Sequence, residues 1–336
     1  MKVTIKDVAK EADVATSTVS RVLSNNPRIS ETTRKRVKEA IDKLGYEPNA
    51  MARSLARQRT KILGIVLPNE AKDLFTNPFF ITSMQGMSLY AQTKGYYITY
   101  AFSEDDEGEL NHVKEITNNN LIDGVILMRS RQNDEIINYL QDKRFPFVVI
   151  GRPEDTESIL WVDNDNVKAM YDLVNLLIEN GHKKIGFVGA IEEWNMSQDR
   201  LKGYKDALID SKLDYHDNLI VQQNEFNAKN GYDAAKKLFK EEGLTAIVTT
   251  DDLLALGVQE YVKDNNMKDI ALIGFNNSQI AQYQKPSISS IDIMAGRLGH
   301  YAAKLLISKL EGKGSKRKNY IVDTKLVERD TFIQIR

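Results

Sequence analysis

The chain has 336 residues, a net charge of −1 and no cysteine, with a hydrophobic share of 42% and a charged share of 28%. These values are typical of a folded soluble protein of about two or three domains, and they exclude a disulfide framework and a cysteine nucleophile. Four scattered histidines argue against a histidine metal site, so no bound metal is expected. No apolar run approaches the roughly 18 residues that span a bilayer, and the charged N-terminus lacks a secretory signal. We therefore expect a cytoplasmic protein with no membrane partner.

Charge is distributed unevenly along the chain. Residues 1–61 contain 14 Lys and Arg against 7 Asp and Glu, whereas the other 275 residues contain 32 against 40. A short basic head on a long acidic body is typical of a nucleic-acid-binding module joined to a second function. A head surface that is simply rich in solvated lysine and arginine is the alternative. The acidic body would repel phosphates, so we expect DNA to contact only the head.

Three helices are predicted in the head. Thr4 and Asp7 fit a capping box at the start of the first helix, whose apolar residues then recur at helical spacing. A second short helix is predicted over Thr16–Leu23 after a three-residue turn, and Ser30 caps a third helix that ends at Gly45. Two short helices on a tight turn, braced by a third, match the helix-turn-helix motif.

The second helix opens with small polar side chains. Thr16, Ser17 and Thr18 are followed by Ser20 and Arg21. Side chains of these types can enter the major groove of DNA and reach the base edges. Three small helices whose polar residues merely face water are the alternative, and the pattern alone leaves both interpretations open.

At these residues the head resembles the lac-repressor (LacI/GalR) family of bacterial transcription regulators. The elements that carry the resemblance are Asp7-Val8-Ala9, Thr18-Val19-Ser20-Arg21-Val22, Leu44-Gly45-Tyr46, Pro48-Asn49 and Ala52-Arg53-Ser54-Leu55-Ala56. The likeness continues to the C-terminus and so covers essentially the whole chain.

The resemblance implies a division of the chain into three parts. These are a helix-turn-helix domain on residues 1–47, a hinge helix and linker on residues 48–60, and an effector-binding and dimerisation domain on residues 61–336. In the third part the chain is expected to cross between two lobes near residues 160, 292 and 317. The first lobe would contain residues 61–160 and 293–317, and the second lobe residues 161–292 and 318–336.

The resemblance also implies DNA-binding roles for individual residues. Thr16, Ser17 and Arg21 fall where the family's recognition helix reads bases, and Leu55 falls where a leucine wedges into the minor groove. An ordinary packing leucine is the local alternative for Leu55. Ala15 departs from the serine that is usual in the family, which puts one cap or phosphate contact in doubt. The expected DNA-binding residues are Thr4, Thr16, Ser17, Thr18, Ser20, Arg21, Asn25, Asn49, Ala52, Arg53, Leu55 and Ala56.

Beyond the head, apolar strand segments alternate with helical segments in two successive runs, from Ile62 to Ile150 and from Ile185 to Phe275. This alternation predicts parallel sheets covered by helices on both faces. The predicted fold is a small all-α helix-turn-helix head on an α/β body of two doubly wound parallel-sheet lobes, which the resemblance implies are arranged as in periplasmic binding proteins. Ligands of such folds bind at the carboxyl ends of strands, here in the cleft between the lobes.

Polar and aromatic side chains occur in the loops that follow these strands. Carboxylates, amides and an arginine can each engage two hydroxyls of a sugar, and aromatic rings can stack on its faces. Helix capping is the alternative for Asp163 and Asp252, and burial in the core is the alternative for Phe79 and Phe80. The candidate effector-binding residues are Phe79, Phe80, Asp163, Trp194, Arg200, Phe226, Asp251 and Asn276.

Within the family, the chain most resembles the maltose and maltodextrin operon repressors of Gram-positive bacteria. The residues that carry this finer likeness are Gly274 to Ser278, Pro286 and Ser289 to Ile293. Arg200 matches the family's effector-binding arginine, whereas Asn276 stands where many members have aspartate. The resemblance implies a homodimeric repressor of a sugar-utilisation operon that is not an enzyme. A maltose-like sugar would release it from operator DNA, and no cofactor is expected.

Other functions fit the sequence less well. A sugar-binding transport protein would share the two-lobe body, but it needs a signal peptide and no basic head. A dinucleotide-dependent enzyme needs a glycine-rich turn after its first strand, where this chain has Leu67-Pro68-Asn69-Glu70. Glycoside hydrolysis needs carboxylates on both sides of a bond, whereas Asp251 and Asp252 are adjacent. Inside the family, a catabolite regulator with a phosphoprotein co-repressor stays open as an alternative.

Overall fold

The structure, a computed structural model, describes residues 3–24, 26–46, 59–68, 77–103, 105–213, 216–313 and 317–335. The chain forms two compact units, Met1–Thr60 and Lys61–Arg336, and each unit has a hydrophobic core of its own. No helix in the described ranges is long and apolar enough to cross a membrane.

The first unit is a bundle of three helices. These are α1 (Ile5–Glu11), α2 (Thr16–Leu23) and α3 (Glu31–Leu44). The Asp7 carboxylate accepts a hydrogen bond from the Thr4 backbone N–H at 2.8 Å, as the predicted capping box requires. Ser30 caps α3, and Gly45 ends it with a φ of +59°, a left-handed conformation that glycine adopts without strain. The core of this unit consists of Val8, Ala9, Ala12, Val19, Val22, Val37 and Ala40.

The second unit alternates strands and helices. Its strands are β1 (Ile62–Val66), β2 (Tyr97–Ala101), β3 (Gly124–Leu127), β4 (Phe147–Ile150), β5 (Leu160–Asp163), β6 (Ile185–Ala190), β7 (Ile220–Gln223), β8 (Ala246–Thr249), β9 (Ala271–Phe275), β10 (Ser289–Asp292), β11 (Asn319–Ile321) and β12 (Lys325–Val327). Its helices are α4 (Pro78–Thr93), α5 (Asp106–Asn118), α6 (Glu135–Asp142), α7 (Asn166–Glu179), α8 (Asn195–Asp210), α9 (Ala228–Leu238), α10 (Asp252–Asp264), α11 (Gln279–Gln282) and α12 (Ala295–Leu310).

The strands form two six-stranded sheets, which define two lobes. The first-lobe sheet has the order β11-β5-β4-β3-β1-β2, and the second-lobe sheet has the order β12-β10-β9-β8-β6-β7. The strands pair in parallel, as Leu63 with Gly124 and Ile185 with Ala246, except that β10 and β12 are antiparallel. The predicted all-α head and the two doubly wound parallel-sheet lobes are therefore confirmed.

Helices cover both sheets and enclose the apolar core. In the first lobe α12 packs against α4 and against β3, β4 and β5. A Cβ at Gly86 would lie 2.0 Å from the carbonyl oxygen of Gly296, so the close crossing of α4 and α12 requires glycine at this position.

Two predicted lobe boundaries are wrong by a few residues. β11 pairs with β5, and β5 pairs with β4, so both strands belong to the first-lobe sheet. The chain therefore leaves the first lobe after Asp163 and again after Ile321, instead of near residues 160 and 317. The chain also crosses after Asp292, because β10 ends there and α12 packs on the first lobe. Such boundaries depend on which strand the main chain pairs with at the edge of a sheet, and a local sequence pattern does not show that partner.

Candidate functional site

A cavity with an empty volume of about 620 Å³ lies between the two lobes of the second unit. Its walls include loops at the carboxyl ends of strands in both sheets, where ligands of such folds bind. All eight candidate effector residues line it, namely Phe79, Phe80, Asp163, Trp194, Arg200, Phe226, Asp251 and Asn276. The structure thus brings the candidates together, and their role in sugar binding stays a prediction.

Arg200 is the buried cation of this cavity. Its side chain lies on α8, is 3% exposed and packs over the Phe275 ring at 4.1 Å. Nε donates to Asn166 Oδ1 at 2.9 Å, and one terminal nitrogen donates to the Thr250 carbonyl at 2.5 Å. Burial lowers the Arg200 pKa to about 10, against the opposing effect of Asp163 and other carboxylates, so the group stays charged at neutral pH. The guanidinium is therefore held in one orientation at the cavity wall.

Asp251 faces Arg200 from the loop after β8. Its Oδ1 accepts from the Leu253 N–H at 2.7 Å and so caps α10. Its Oδ2 accepts from Asn276 Nδ2 at 2.7 Å and from Asn77 Nδ2 at 3.3 Å. Asn77 belongs to the first lobe, so Asp251 also connects the lobes across the cavity. Burial raises the Asp251 pKa to about 6.

Asp163 and Asp252 are not helix caps. The N-cap residues of α7 and α10 are Asp165 and Asp251. Asp163 instead accepts from the N–H groups of Asn164 and Arg152, at 2.7 and 2.9 Å, where the chain leaves the first lobe. Three protein donors, with Asn166 as the third, therefore surround its carboxylate, and burial raises its pKa to about 6.

Asp252 supports the site from behind. It accepts from the Ser278 N–H and from the Ser290 hydroxyl, both at 2.7 Å. These bonds hold the loop that presents Asn276, whose backbone has a φ of +98°. Burial raises the Asp252 pKa to about 7.

Aromatic rings form the apolar part of the wall. Trp194 and Phe226 meet in the second lobe with ring centroids 5.6 Å apart, and Phe79 and Phe80 meet edge-on in the first lobe at 5.2 Å. Phe80 both lines the cavity and belongs to the hydrophobic core. Trp194 is 8% exposed, and its Nε1 has no hydrogen-bond partner among the described residues. The indole N–H is thus a buried donor without a partner among the described residues, on a residue that lines the cavity.

Sequence reasoning missed Arg129, which lines the cavity from the end of β3. Its terminal nitrogens pair with Glu109 at 2.6 Å and with Asp134 at 3.1 Å, and all three side chains are buried. Burial raises the Glu109 pKa to about 7 in spite of the arginine. An arginine two residues past the end of a buried strand is the sequence signal that could have identified this position.

A second missed feature connects the lobes at the start of α8. The Asn195 N–H donates to the Ser130 carbonyl at 3.0 Å, and Asn195 Nδ2 donates to Ser130 Oγ and to the Arg152 carbonyl, each at 2.9 Å. Ser130 and Arg152 belong to the first lobe, so one second-lobe residue makes three hydrogen bonds across the cleft. The neighbouring Arg131 and Trp194 form a β-bridge. We call this set of contacts the rim contact.

The DNA-binding candidates lie on the first unit. Thr16, Ser17, Ser20 and Arg21 are exposed on α2, and Thr18 is half-buried. Thr4 donates its hydroxyl to Asp7 at 2.7 Å at the start of α1. Ala15 is the N-cap of α2 and makes no side-chain cap bond, in keeping with the departure at this position. The remaining candidates, Asn25, Asn49, Ala52, Arg53, Leu55 and Ala56, lie outside the described residues.

No group of His, Asp and Glu side chains in the described ranges is arranged to hold a metal ion. The cavity wall itself presents hydrogen-bonding side chains and aromatic rings.

Comparisons with known proteins bear on both units. A sequence profile described as "Bacterial regulatory proteins, lacI family" matches residues 4–49, and one described as "Periplasmic binding protein-like domain" matches residues 174–332. The HTH-type transcriptional regulator MalR of Streptococcus pneumoniae is 34% identical over 98% of this chain and 100% of its own length. Catabolite control protein A of Priestia megaterium is 35% identical over 91% of this chain and 92% of its own. A solved structure described as a transcriptional regulator CelR–cellobiose complex covers 98% of this chain and 100% of that chain, with 26% identity and a TM-score of 0.77.

Proposed function

Because the chain belongs to the lacI family of bacterial regulatory proteins, it is a DNA-binding transcription regulator and not an enzyme, and we propose that it represses a sugar-utilisation operon. In this proposal a homodimer holds a pseudo-palindromic operator with its two heads. A neutral sugar, maltose or a short maltodextrin, binds in the cavity between the lobes and releases the DNA.

The observation that carries the proposal is the composition of the cavity wall. Arg200 and the Trp194 indole N–H offer donors, while Asp251 and Asn276 offer acceptors. Rings on both lobes can stack on the faces of a sugar. A molecule with many hydroxyls satisfies these groups, whereas an apolar ligand leaves them unpaired.

The charges favour a neutral sugar over a phosphorylated one. Arg200 faces two carboxylates, Asp163 and Asp251, and Arg129 is already paired with Glu109 and Asp134. A sugar phosphate would bring further negative charge to a wall with no unpaired cation among these groups, at a high desolvation cost.

Maltose is the favoured ligand because of two similarities. The relative at 34% identity is named MalR, and the residues from Gly274 to Ser278 resemble those of maltose operon repressors. A structure of similar fold is described as holding cellobiose, which also consists of two glucose units.

Release of the operator would act through the hinge. The predicted hinge helix, from Pro48 to Arg57, lies outside the described residues. A helix this short is marginal alone, so a small change in the position of the lobes suffices to unfold it. The sugar shifts this equilibrium only by its different affinity for the two states.

The test is fluorescence anisotropy of a labelled palindromic operator with a central CG step, titrated with the full chain with and without maltose. We expect maltose to weaken operator binding by about tenfold or more, within the usual range of allosteric coupling. Cellobiose is the matched control, because it differs from maltose only in the linkage. Absence of operator binding would contradict the repressor proposal.

A second candidate is a catabolite regulator whose DNA binding is activated by a protein co-repressor. The 35% identity to catabolite control protein A favours it. This alternative would be supported if maltose left operator binding unchanged and a phosphoprotein strengthened it.

A further inference from the structure

The two lobes are joined by three chain crossings, and a single side chain contacts all of them. Each crossing begins with the residue after a strand, which is Asn164 after β5, Ile293 after β10 and Val322 after β11. Asn164 Nδ2 donates to the Ile293 carbonyl at 3.0 Å and to the Val322 carbonyl at 2.8 Å. Asn164 is 2% exposed, so these bonds are buried. We call this arrangement the crossing staple.

The crossing staple is connected to the arginine of the cavity. Arg200 Nε donates to Asn166 Oδ1 at 2.9 Å, and Asn166 Nδ2 donates to Asp163 Oδ1 at 3.0 Å. The same oxygen accepts from the Asn164 N–H at 2.7 Å. A continuous set of buried hydrogen bonds thus runs from the cavity wall to all three crossings, and Asn164 also lines the cavity.

The chemistry of the position requires an amide. The carbonyls of Ile293 and Val322 both accept from one nitrogen, and only the NH₂ of an asparagine or glutamine offers two hydrogens on a neutral group at such a point. An aspartate would set negative oxygens against two carbonyl oxygens, and a leucine of the same size would leave both carbonyls unpaired.

We propose that Asn164 is a positioning residue that ties the three crossings together and so couples occupancy of the cavity to the relative position of the lobes. Movement of Arg200 upon ligand binding reaches every crossing through Asn166, Asp163 and Asn164 together. Without the staple, the first and third crossings keep the backbone bond from the Val322 N–H to the Asp163 carbonyl at 2.8 Å, while the second crossing loses the bond that ties it to them, so the lobes take a broader range of arrangements. The coupling to operator release rests on the function proposed above, whereas the control of lobe position does not.

The experiment compares Asn164→Leu with Asn164→Ser, which keeps one donor. Asn180→Leu is the matched control, because Asn180 Nδ2 donates to Leu176 within the second lobe and touches no crossing. The natural chain has no cysteine, so cysteines introduced at the exposed Glu115 and Lys236 label one lobe each. Spin labels on these two residues report the distance between the lobes by pulsed electron paramagnetic resonance.

In the sugar-free full chain we expect Asn164→Leu to broaden the distance distribution, Asn164→Ser to broaden it less, and Asn180→Leu to leave it unchanged. In titration calorimetry we expect Asn164→Leu still to bind maltose, with an affinity that falls far less than its operator response does. Its operator affinity should change less than twofold upon addition of maltose, in contrast to the change of about tenfold in the natural chain.

An unchanged distance distribution in both Asn164 variants would overturn the proposal. An Asn164 variant in which maltose affinity and the operator response to maltose fall by the same factor would also overturn the proposal. A general structural defect would reduce both properties together. If maltose fails to affect the natural chain while the distances still broaden, the proposed sugar is wrong and the crossing staple stands.

Discussion

Asp251 connects three parts of the molecule through its two carboxylate oxygens. Oδ1 caps α10 through the Leu253 N–H, and Oδ2 accepts from Asn276 in its own lobe and from Asn77 in the other. Together with Asp163 it places two buried carboxylates near Arg200, so the arginine is their compensating charge. Removing one member of such a group leaves charge uncompensated in a buried place.

We expect Arg200→Ala to abolish the response to maltose. The variant loses the donors at the cavity wall and leaves Asp163 and Asp251 without their cation, so maltose affinity should fall by about a hundredfold or more. Operator anisotropy with and without maltose measures this, and circular dichroism controls for folding. Normal release of the operator by Arg200→Ala would refute the assignment of this residue.

We expect Asp252→Asn to reduce the pH dependence of stability. Burial raises the Asp252 pKa to about 7, so the folded chain keeps a proton that the unfolded chain releases near pH 4. The contribution of this proton to the free energy of unfolding is complete below about pH 4 and is lost as the pH rises through about 7. Between about pH 5.5 and about pH 8 the free energy of unfolding therefore falls by about 2 kcal/mol.

Urea unfolding of the natural chain and of Asp252→Asn at those two pH values measures the difference. The exposed Asp142→Asn is the control and should leave the pH dependence unchanged. An equal fall in the free energy of unfolding in Asp252→Asn and in the natural chain would show that this carboxyl does not titrate as described.

At the scale of elements, two helices carry most of the side chains proposed to contact DNA or to bridge the cleft. α2 exposes Thr16, Ser17, Ser20 and Arg21, and its buried residues Val19 and Val22 hold it against the other head helices. α8 begins at Asn195 with the rim contact and carries Arg200 further along. In both helices, buried packing fixes the element, and side chains of the first two turns carry the proposed contacts.

We expect Arg21→Ala to weaken operator binding by about 10- to 100-fold. Arginine is the side chain best suited to a bidentate contact with guanine, which contributes about 1–3 kcal/mol to base discrimination. Anisotropy with the matched operator and with single-base variants measures the loss. Arg28→Ala, an exposed arginine outside α2, is the control. Undiminished affinity in Arg21→Ala would place the specific contact on another residue.

We expect Asn195→Ala to weaken maltose binding by about 5- to 30-fold. The variant removes the two side-chain bonds of the rim contact, to Ser130 and Arg152, which together contribute about 1–2 kcal/mol to holding the lobes across the cleft. Titration calorimetry measures the affinity, and the exposed Asn138→Ala is the control. Unchanged maltose affinity would mean that the rim contact does not contribute to the ligand-bound arrangement.

At the scale of the whole molecule, the chain consists of two units with separate cores. The first unit, Met1–Thr60, encloses a small core of alanine and valine, and the second, Lys61–Arg336, encloses the large core of the two lobes. Net positive charge is concentrated in residues 1–61 and net negative charge in the rest of the chain. The division therefore separates the surface proposed to contact DNA from the cavity proposed to bind a sugar.

We expect a fragment of residues 61–336 to fold and to bind maltose within about twofold of the full chain, because its core is complete without the head. The fragment should not bind operator DNA. Calorimetry and anisotropy on the same preparation measure both properties. A fragment that fails to fold would show that the head contributes to the stability of the second unit.

Local patterns in the sequence were enough to predict the fold. Capping residues such as Ser30 and Gly45 set the ends of the third head helix, and alternating apolar and helical segments specified parallel sheets. The parallel topology then brings the carboxyl ends of strands to one edge, so residues as distant as Phe79 and Asn276 could be assigned to one cavity. These inferences succeeded because each depends on neighbours in the chain or on a general rule of topology.

The sequence by itself therefore determined the two-part organisation, the fold class and eight of the residues that line the cavity. Only the tertiary structure decided the ends of the lobes, the rim contact at Asn195 and the crossing staple at Asn164. Each of these depends on hydrogen bonds between residues far apart in the chain, as from Asn164 to Val322. Such bonds form where buried donors meet acceptors in the packed chain, and an asparagine has the same local pattern whether it caps a turn or joins two lobes.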